Sequence, residues 1–101
     1  ALKTADIVIT GEGRMDRQTA MGKAPVGVAS LARKANPAVR TLAFCGCATE
    51  DAEEVNAKGI DTYFPILHEV VSLEEALQAE IAERNLRQTV HQVFRLLRGC
   101  L

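Results

Sequence analysis

Three short apolar runs, each followed by a helical pattern, constrain this chain more than any other feature. The runs are Ile7-Val8-Ile9, Leu42-Ala43-Phe44 and Tyr63-Phe64 with Ile66. Bounded by polar residues and turn signals, they read as buried strands over about Asp6–Thr10, Arg40–Cys45 and Asp61–Ile66. The first run is apolar on both faces, the pattern of a central parallel strand. Pro65 lacks an N–H, which puts the third strand at an edge or ends it early.

A helix is expected from Pro25, a residue suited to a first helical position. Val26, Ala29, Leu31 and Ala32 give it an apolar face, and it stops before Asn36-Pro37. A second helix begins at Thr49, with Glu50 and Asp51 at its positive end, and stops at Gly59. Ser72 and Glu75 form a capping box that opens a third. Leu73, Ala76, Leu77 and Ile81 make one stripe; Leu86, Val90, Val93, Phe94 and Leu97 make another. The step from Ile81 to Leu86 slips the phase, so a kink is expected near Glu83–Asn85. The basic residues Arg84, Arg87, Arg95 and Arg98 read as a solvated face. This alternation predicts an α/β fold over residues 1–101: a parallel sheet in a three-layer arrangement, helices on both faces, with right-handed crossovers.

In such a sheet all strand C-termini share one rim, the usual ligand site of open α/β folds. After the first strand the sequence reads as a long polar loop, Gly11–Ala24. Most connections are about 4–6 residues, and longer ordered ones are usually functional. This one holds Gly11, Gly13 and Gly22, the carboxylates Glu12 and Asp16, and the cations Arg14, Arg17 and Lys23. Glycines allow positive φ or close backbone approach; carboxylates hold Mg²⁺ or take a proton, and cations hold phosphate. Ala24 is a poor cap, so the N–H groups of the following helix are capped by Thr19 or left open to an anion. A solvated turn, or a Glu12–Arg14 ion pair, would account for the same residues without a ligand. Two phosphate loops are excluded. Walker A needs Gly at 17 and Ser or Thr at 24, where Arg17 and Ala24 stand; the dinucleotide fingerprint needs Gly at 16, where Asp16 stands. A receiver domain carries its Asp at a strand's C-terminal end, whereas Asp6 opens strand one.

The net charge is −1, and the aromatic residues are one Tyr and three Phe with no Trp. Neither supports nucleic-acid binding or adhesion to an anionic membrane. No apolar run reaches a membrane span and no signal-peptide pattern is present. Three cysteines, Cys45, Cys47 and Cys100, are an odd number without staple-like spacing, which suggests a reducing, cytoplasmic setting. Zinc on Cys45, Cys47, His68 and His91 is chemically conceivable, but core packing better suits Cys45. The chain opens without Met and enters a strand almost at once, as a piece of a longer polypeptide would.

The run Ala5 to Asp16, with Gln18-Thr19 and Gly22-Lys23-Ala24-Pro25-Val26-Gly27-Val28-Ala29, closely resembles the C-terminal part of the type I glycerate kinases. The resemblance continues through Gly46, Gly59-Ile60-Asp61 and Leu73-Glu74-Glu75-Ala76. Arg17, Met21 and Cys47 depart from the family's usual residues; Glu12, Arg14, Asp16 and Lys23 do not. It implies part of a Rossmann-like domain in a two-domain kinase that uses ATP to phosphorylate D-glycerate, giving 2-phosphoglycerate, or 3-phosphoglycerate under older naming. The implied partners are ATP, D-glycerate and the preceding part of the same chain, with a homo-oligomer left open. On this resemblance Asp16 either coordinates Mg²⁺ or accepts the glycerate hydroxyl proton, and Glu12 is the second acidic group. Arg14 and Lys23 hold carboxylate or phosphoryl. Gly11, Gly13, Gly22 and Thr19 complete the anion-binding set. The alternatives are a non-catalytic ligand-binding α/β domain and a folded but inactive fragment.

Overall fold

A computed structural model describes residues 6–67 and 70–98. The expectations for residues 1–5, His68 and Glu69 lie outside the described residues. Strands β1 (Ile7–Met15), β2 (Arg40–Ala48) and β3 (Thr62–Pro65) form a three-stranded, wholly parallel sheet in the order β1-β2-β3. Helices α1 (Arg17–Ala20) and α2 (Ala24–Ala35) connect β1 to β2, and a 3₁₀ segment, Glu50–Lys58, connects β2 to β3. Helices α3 (Leu73–Ala76) and α4 (Ala79–Leu97) complete the order.

The central strand β2 shows why the fold has this form. Its side chains alternate between two faces, as a pleated strand requires. Ala43 and Cys45 pack with Met15, Ala20, Val26, Ala29, Ala52, Val55 and Ile60 from α1, α2 and the 3₁₀ segment. Leu42 and Phe44 pack with Val93 of α4, against Ile7, Phe64, Ile66, Val90 and Leu97. Phe44 and Phe64 stack with ring centroids 5.9 Å apart. Both sheet faces are thus covered by helices, as the alternation of elements predicts. Pro65 closes β3 at the sheet edge, the place expected for it.

Four local expectations are corrected. β1 lies at an edge of the described sheet, not at its centre, and Ile9 is 48% exposed. A continuous apolar run reads alike in either position, so the pattern could not separate them. The supposed loop Gly11–Ala24 is mostly ordered structure. β1 continues to Met15 because β2 runs equally far and pairs with it in parallel: Glu12 opposite Cys45, Arg14 opposite Cys47 and Met15 opposite Ala48. The stretch before Gly59 is a 3₁₀ helix along its whole length rather than an α-helix, although it ends as expected, with Gly59 at φ 103°. The break in the last helical region comes at Leu77-Gln78, not at Glu83–Asn85, and α4 runs unbroken through those residues. Asn85 and Thr89 share its buried side with Val93. The Thr89 hydroxyl donates to the Asn85 carbonyl at 2.8 Å, so polar residues bridge the apparent phase slip. The arginines of α4 are exposed, with Arg87 paired to Glu83 at 2.9 Å.

At the N-terminal end of the sheet, Asp61 latches three elements together. Its Oδ1 accepts from Arg33 Nη2 of α2 at 2.9 Å, and its Oδ2 accepts the Thr41 N–H of β2 at 2.8 Å. Thr41 is buried, so its N–H has no ready recourse to water. Asp61→Ala is therefore expected to cost about 2 kcal/mol, the scale of hydrogen bonds to a charged group. Urea unfolding checks this, and a loss below a few tenths would show the latch to be idle. This end lies opposite the C-terminal rim and leaves that rim free.

Candidate functional site

The rim is built from the turns that leave β1 and β2. Asp16 stands at the end of β1 in extended conformation and caps α1. Its Oδ1 accepts the N–H of Gln18 at 2.9 Å and of Thr19 at 3.2 Å. The Thr19 hydroxyl completes the capping box by accepting the Asp16 N–H at 3.2 Å. A polar side chain three residues after an Asp cap is the sequence form of this motif, here with Thr in place of Glu or Gln. The same hydroxyl donates to Glu12 Oε2 at 2.7 Å.

Two cations flank Asp16: Arg14 Nε lies 3.7 Å from Oδ2, and Lys23 Nζ lies 4.0 Å from Oδ1. Arg14 thus faces Asp16, and the anticipated Glu12–Arg14 pair does not form among the described residues. Arg17 is held by Glu54 at 3.6 Å. Lys23 caps α2 without a side-chain hydrogen bond, so Thr19 serves α1 and not α2. Gly22 makes the α1–α2 turn at φ 122°, a left-handed geometry that explains glycine there without a ligand.

Arg14, Asp16, Arg17 and Gln18 line an open cleft of about 720 Å³ together with Thr49, Glu50 and Asp51. The turns after β1 and β2 therefore share one cleft, joined by the Thr49 N–H donating to the Met15 carbonyl at 2.9 Å. Thr49 holds the cap position of the 3₁₀ segment, but its hydroxyl donates to Asp51. Glu12, Gly11 and Gly13 lie instead along a largely apolar groove of about 610 Å³ between the sheet and α3–α4, with Leu67 at its edge. The residues read as one loop are thus divided between two hollows. Thr19, buried, links Glu12 to Asp16. Arg17, named in the sequence only as one of the loop's cations, lines the cleft, and so do Gln18, Thr49, Glu50 and Asp51, which were not among the expected site residues. Their signal was positional, since each lies just beyond a strand's C-terminal end.

Cys45 is buried beneath this rim and Cys47 is exposed; both are free thiols. Burial, with Cys47 and Glu12 adding to it, pushes the Cys45 thiol up to about 11, which keeps it protonated and unreactive at neutral pH. Among the described residues no cluster of three or more His, Cys, Asp and Glu is placed to hold a metal ion, and no helix is long and apolar enough to cross a membrane.

The wholly parallel sheet with helices on both faces, and a charged cleft at its C-terminal rim, define the class, an α/β protein. Sequence comparison gives the family. The model of the Glycerate kinase family matches residues 1–98. A "Glycerate kinase" of Haemophilus influenzae is 46% identical over 96 residues, which cover 95% of this chain and 24% of that protein. A "Glycerate kinase" of Bacillus cereus is 41% identical over 92 residues, 91% of this chain and 23% of the relative. A "Glycerate 2-kinase" of Escherichia coli is 38% identical over 89 residues, 83% of this chain and 23% of the relative. The chain belongs to the glycerate kinase family. It spans about a quarter of the length of these relatives.

Proposed function

We propose that this chain forms part of the active-site cleft of an ATP-dependent D-glycerate kinase, within a Rossmann-like domain of a two-domain cytoplasmic enzyme. The observation that carries the reading is the placement of Arg14 and Lys23 on either side of Asp16 at the C-terminal rim, in a chain of this family. Phosphoryl transfer asks a protein for positioning and charge neutralisation rather than covalent help. Arg14 offers a planar, two-pronged donor for the glycerate carboxylate or the moving phosphoryl group, and Lys23 a mobile point charge. Asp16 has one oxygen, Oδ2, outside the capping box, and that oxygen either accepts the proton of the attacking hydroxyl or faces a nucleotide-borne Mg²⁺. Glu12, which lines the neighbouring groove and is joined to the Asp16 cap through Thr19, is assigned to a second substrate hydroxyl. At Gly13 a side chain would meet nothing within 4 Å, so bare backbone is open to a ligand beside Glu12.

The donor set suits Mg²⁺ in one form only. The described residues do not form a resident site, but Mg²⁺ carried by a nucleotide needs only one or two protein carboxylates besides phosphate and water. Asp16 Oδ2, with Glu50 or Asp51 in the same cleft, fits that role. When bound, the ion would neutralise phosphate charge.

The test is an assay of the full-length protein with Mg·ATP and D-glycerate, the product identified by ³¹P NMR. Transfer to the 2-hydroxyl is expected, in keeping with the name of the Escherichia coli relative. No phosphoryl transfer to glycerate would reject the proposal in favour of a non-catalytic ligand-binding domain.

A further inference from the structure

Thr19 is completely buried, with 0% of its surface exposed, so its hydroxyl is out of reach of any phosphate in the cleft. Its hydrogen bonds are directed inward. The oxygen accepts the Asp16 N–H at 3.2 Å and donates to Glu12 Oε2 at 2.7 Å. A hydroxyl has one proton, and here it is donated to the Glu12 carboxylate. Among the described residues, the Glu12 carboxylate takes no other hydrogen bond and no ion pair. Among the described residues the long side chain of Glu12 is thus oriented by a single tether. That tether also couples β1 to the start of α1, where Asp16 sits.

We propose that Thr19 is a positioning residue: its hydroxyl sets the Glu12 carboxylate for the substrate, and it does not itself bind phosphate. This rests on the reading of Glu12 as a substrate-binding carboxylate. The distinction from a mere cap is chemical. As a cap Thr19 acts as an acceptor, toward the Asp16 N–H; as a positioner it acts as a donor, toward Glu12.

The test uses the full-length protein with Thr19→Val, which keeps the shape and loses the hydroxyl, and Thr19→Ser, which keeps the hydroxyl. Thr19→Val is expected to lower kcat/KM for D-glycerate by about 10- to 100-fold, the scale of a small misplacement of a reacting group. Thr19→Ser should restore most of it. The deciding comparison repeats Thr19→Val in a Glu12→Ala background, which leaves no acceptor for the Thr19 hydroxyl at that position. There it should cost clearly less, only the bond to the Asp16 N–H remaining to be lost, because residues acting as a unit are not additive. An equal loss in both backgrounds would make Thr19 a cap only and overturn the proposal. So would wild-type kinetics in Glu12→Ala alone, for nothing would then need positioning. If the wild type transfers no phosphoryl group to glycerate, the functional reading falls separately. The wild type, Thr19→Val, Glu12→Ala and the double variant are then compared by urea unfolding, where coupled losses uphold the tether and additive losses overturn it.

Discussion

Asp16→Asn in the full-length protein is expected to reduce turnover of D-glycerate by about 10²- to 10⁴-fold, the contribution usual for a positioned acid or base, while leaving the fold nearly intact. The second half of that expectation rests on the cap. Asn and Asp are about equally good N-caps, so the hydrogen bonds to Gln18 and Thr19 survive the change. What is lost is the negative charge between Arg14 and Lys23. Both cations are substantially exposed, at 67% and 41% of their side chains. Such pairs contribute between about 0 and 1 kcal/mol to stability. Any large loss of turnover must therefore come from chemistry and not from unfolding. Asp16→Ala is the companion variant. It removes the cap as well and should cost roughly 1 kcal/mol more in stability. Turnover of Asp16→Asn within twofold of wild type would reduce Asp16 to a structural cap.

That Asp16 serves as a cap at all shows what the sequence could and could not reveal. The alternation of apolar runs with helical stretches carried the parallel sheet, because period and turn chemistry are local properties. The edge position of Pro65 and the stop at Gly59 were legible for the same reason, since each depends on one residue's backbone. The extent of β1 was not legible. Gly11, Glu12, Gly13 and Arg14 have poor strand propensity, and they are held extended by pairing with β2, a partner far away in sequence. Once that pairing is known, the odd composition of the stretch acquires a geometric sense. Glu12 must reach inward to Thr19, and Arg14 must face Asp16. The break before α4 was misplaced because Asn85 and Thr89 are buried polar residues, which a pattern of apolar spacing cannot count. Of the candidate site, the sequence marked Asp16, Arg14 and Lys23, which do come together. It could not show that Glu12 belongs to a different hollow, or that Glu50 and Asp51 share the cleft.

Gly46→Ala is expected to destabilise the protein by about 3 kcal/mol, the upper part of the range for overpacking a well-filled site. By register Gly46 lies opposite Gly13, between the Glu12–Cys45 and Arg14–Cys47 pairs. A Cβ at Gly46 would lie 2.5 Å from the Gly13 carbonyl oxygen. The atom it meets is backbone, so no side chain can swing aside to relieve the clash. Either β1 moves away from β2, or the pairing beyond Cys45 is lost. Both outcomes displace Arg14, Met15 and Asp16, and Met15 is among the largest fully buried side chains of the core. Gly46→Ala should therefore lose stability and turnover together. Gly13→Ala is the contrasting variant, because a Cβ at Gly13 would meet nothing within 4 Å. Its stability should change by less than about 0.5 kcal/mol, as for a surface substitution. If bare backbone at Gly13 receives the substrate, KM should rise in that variant with Tm unchanged. Equal stabilities for the two alanine variants would mean that the strands do not approach as closely at Gly46 as the structure has them. The rim would then be free to form without a glycine there, and Gly46 would no longer explain how Arg14 and Asp16 come to share a cleft with the turn after β2.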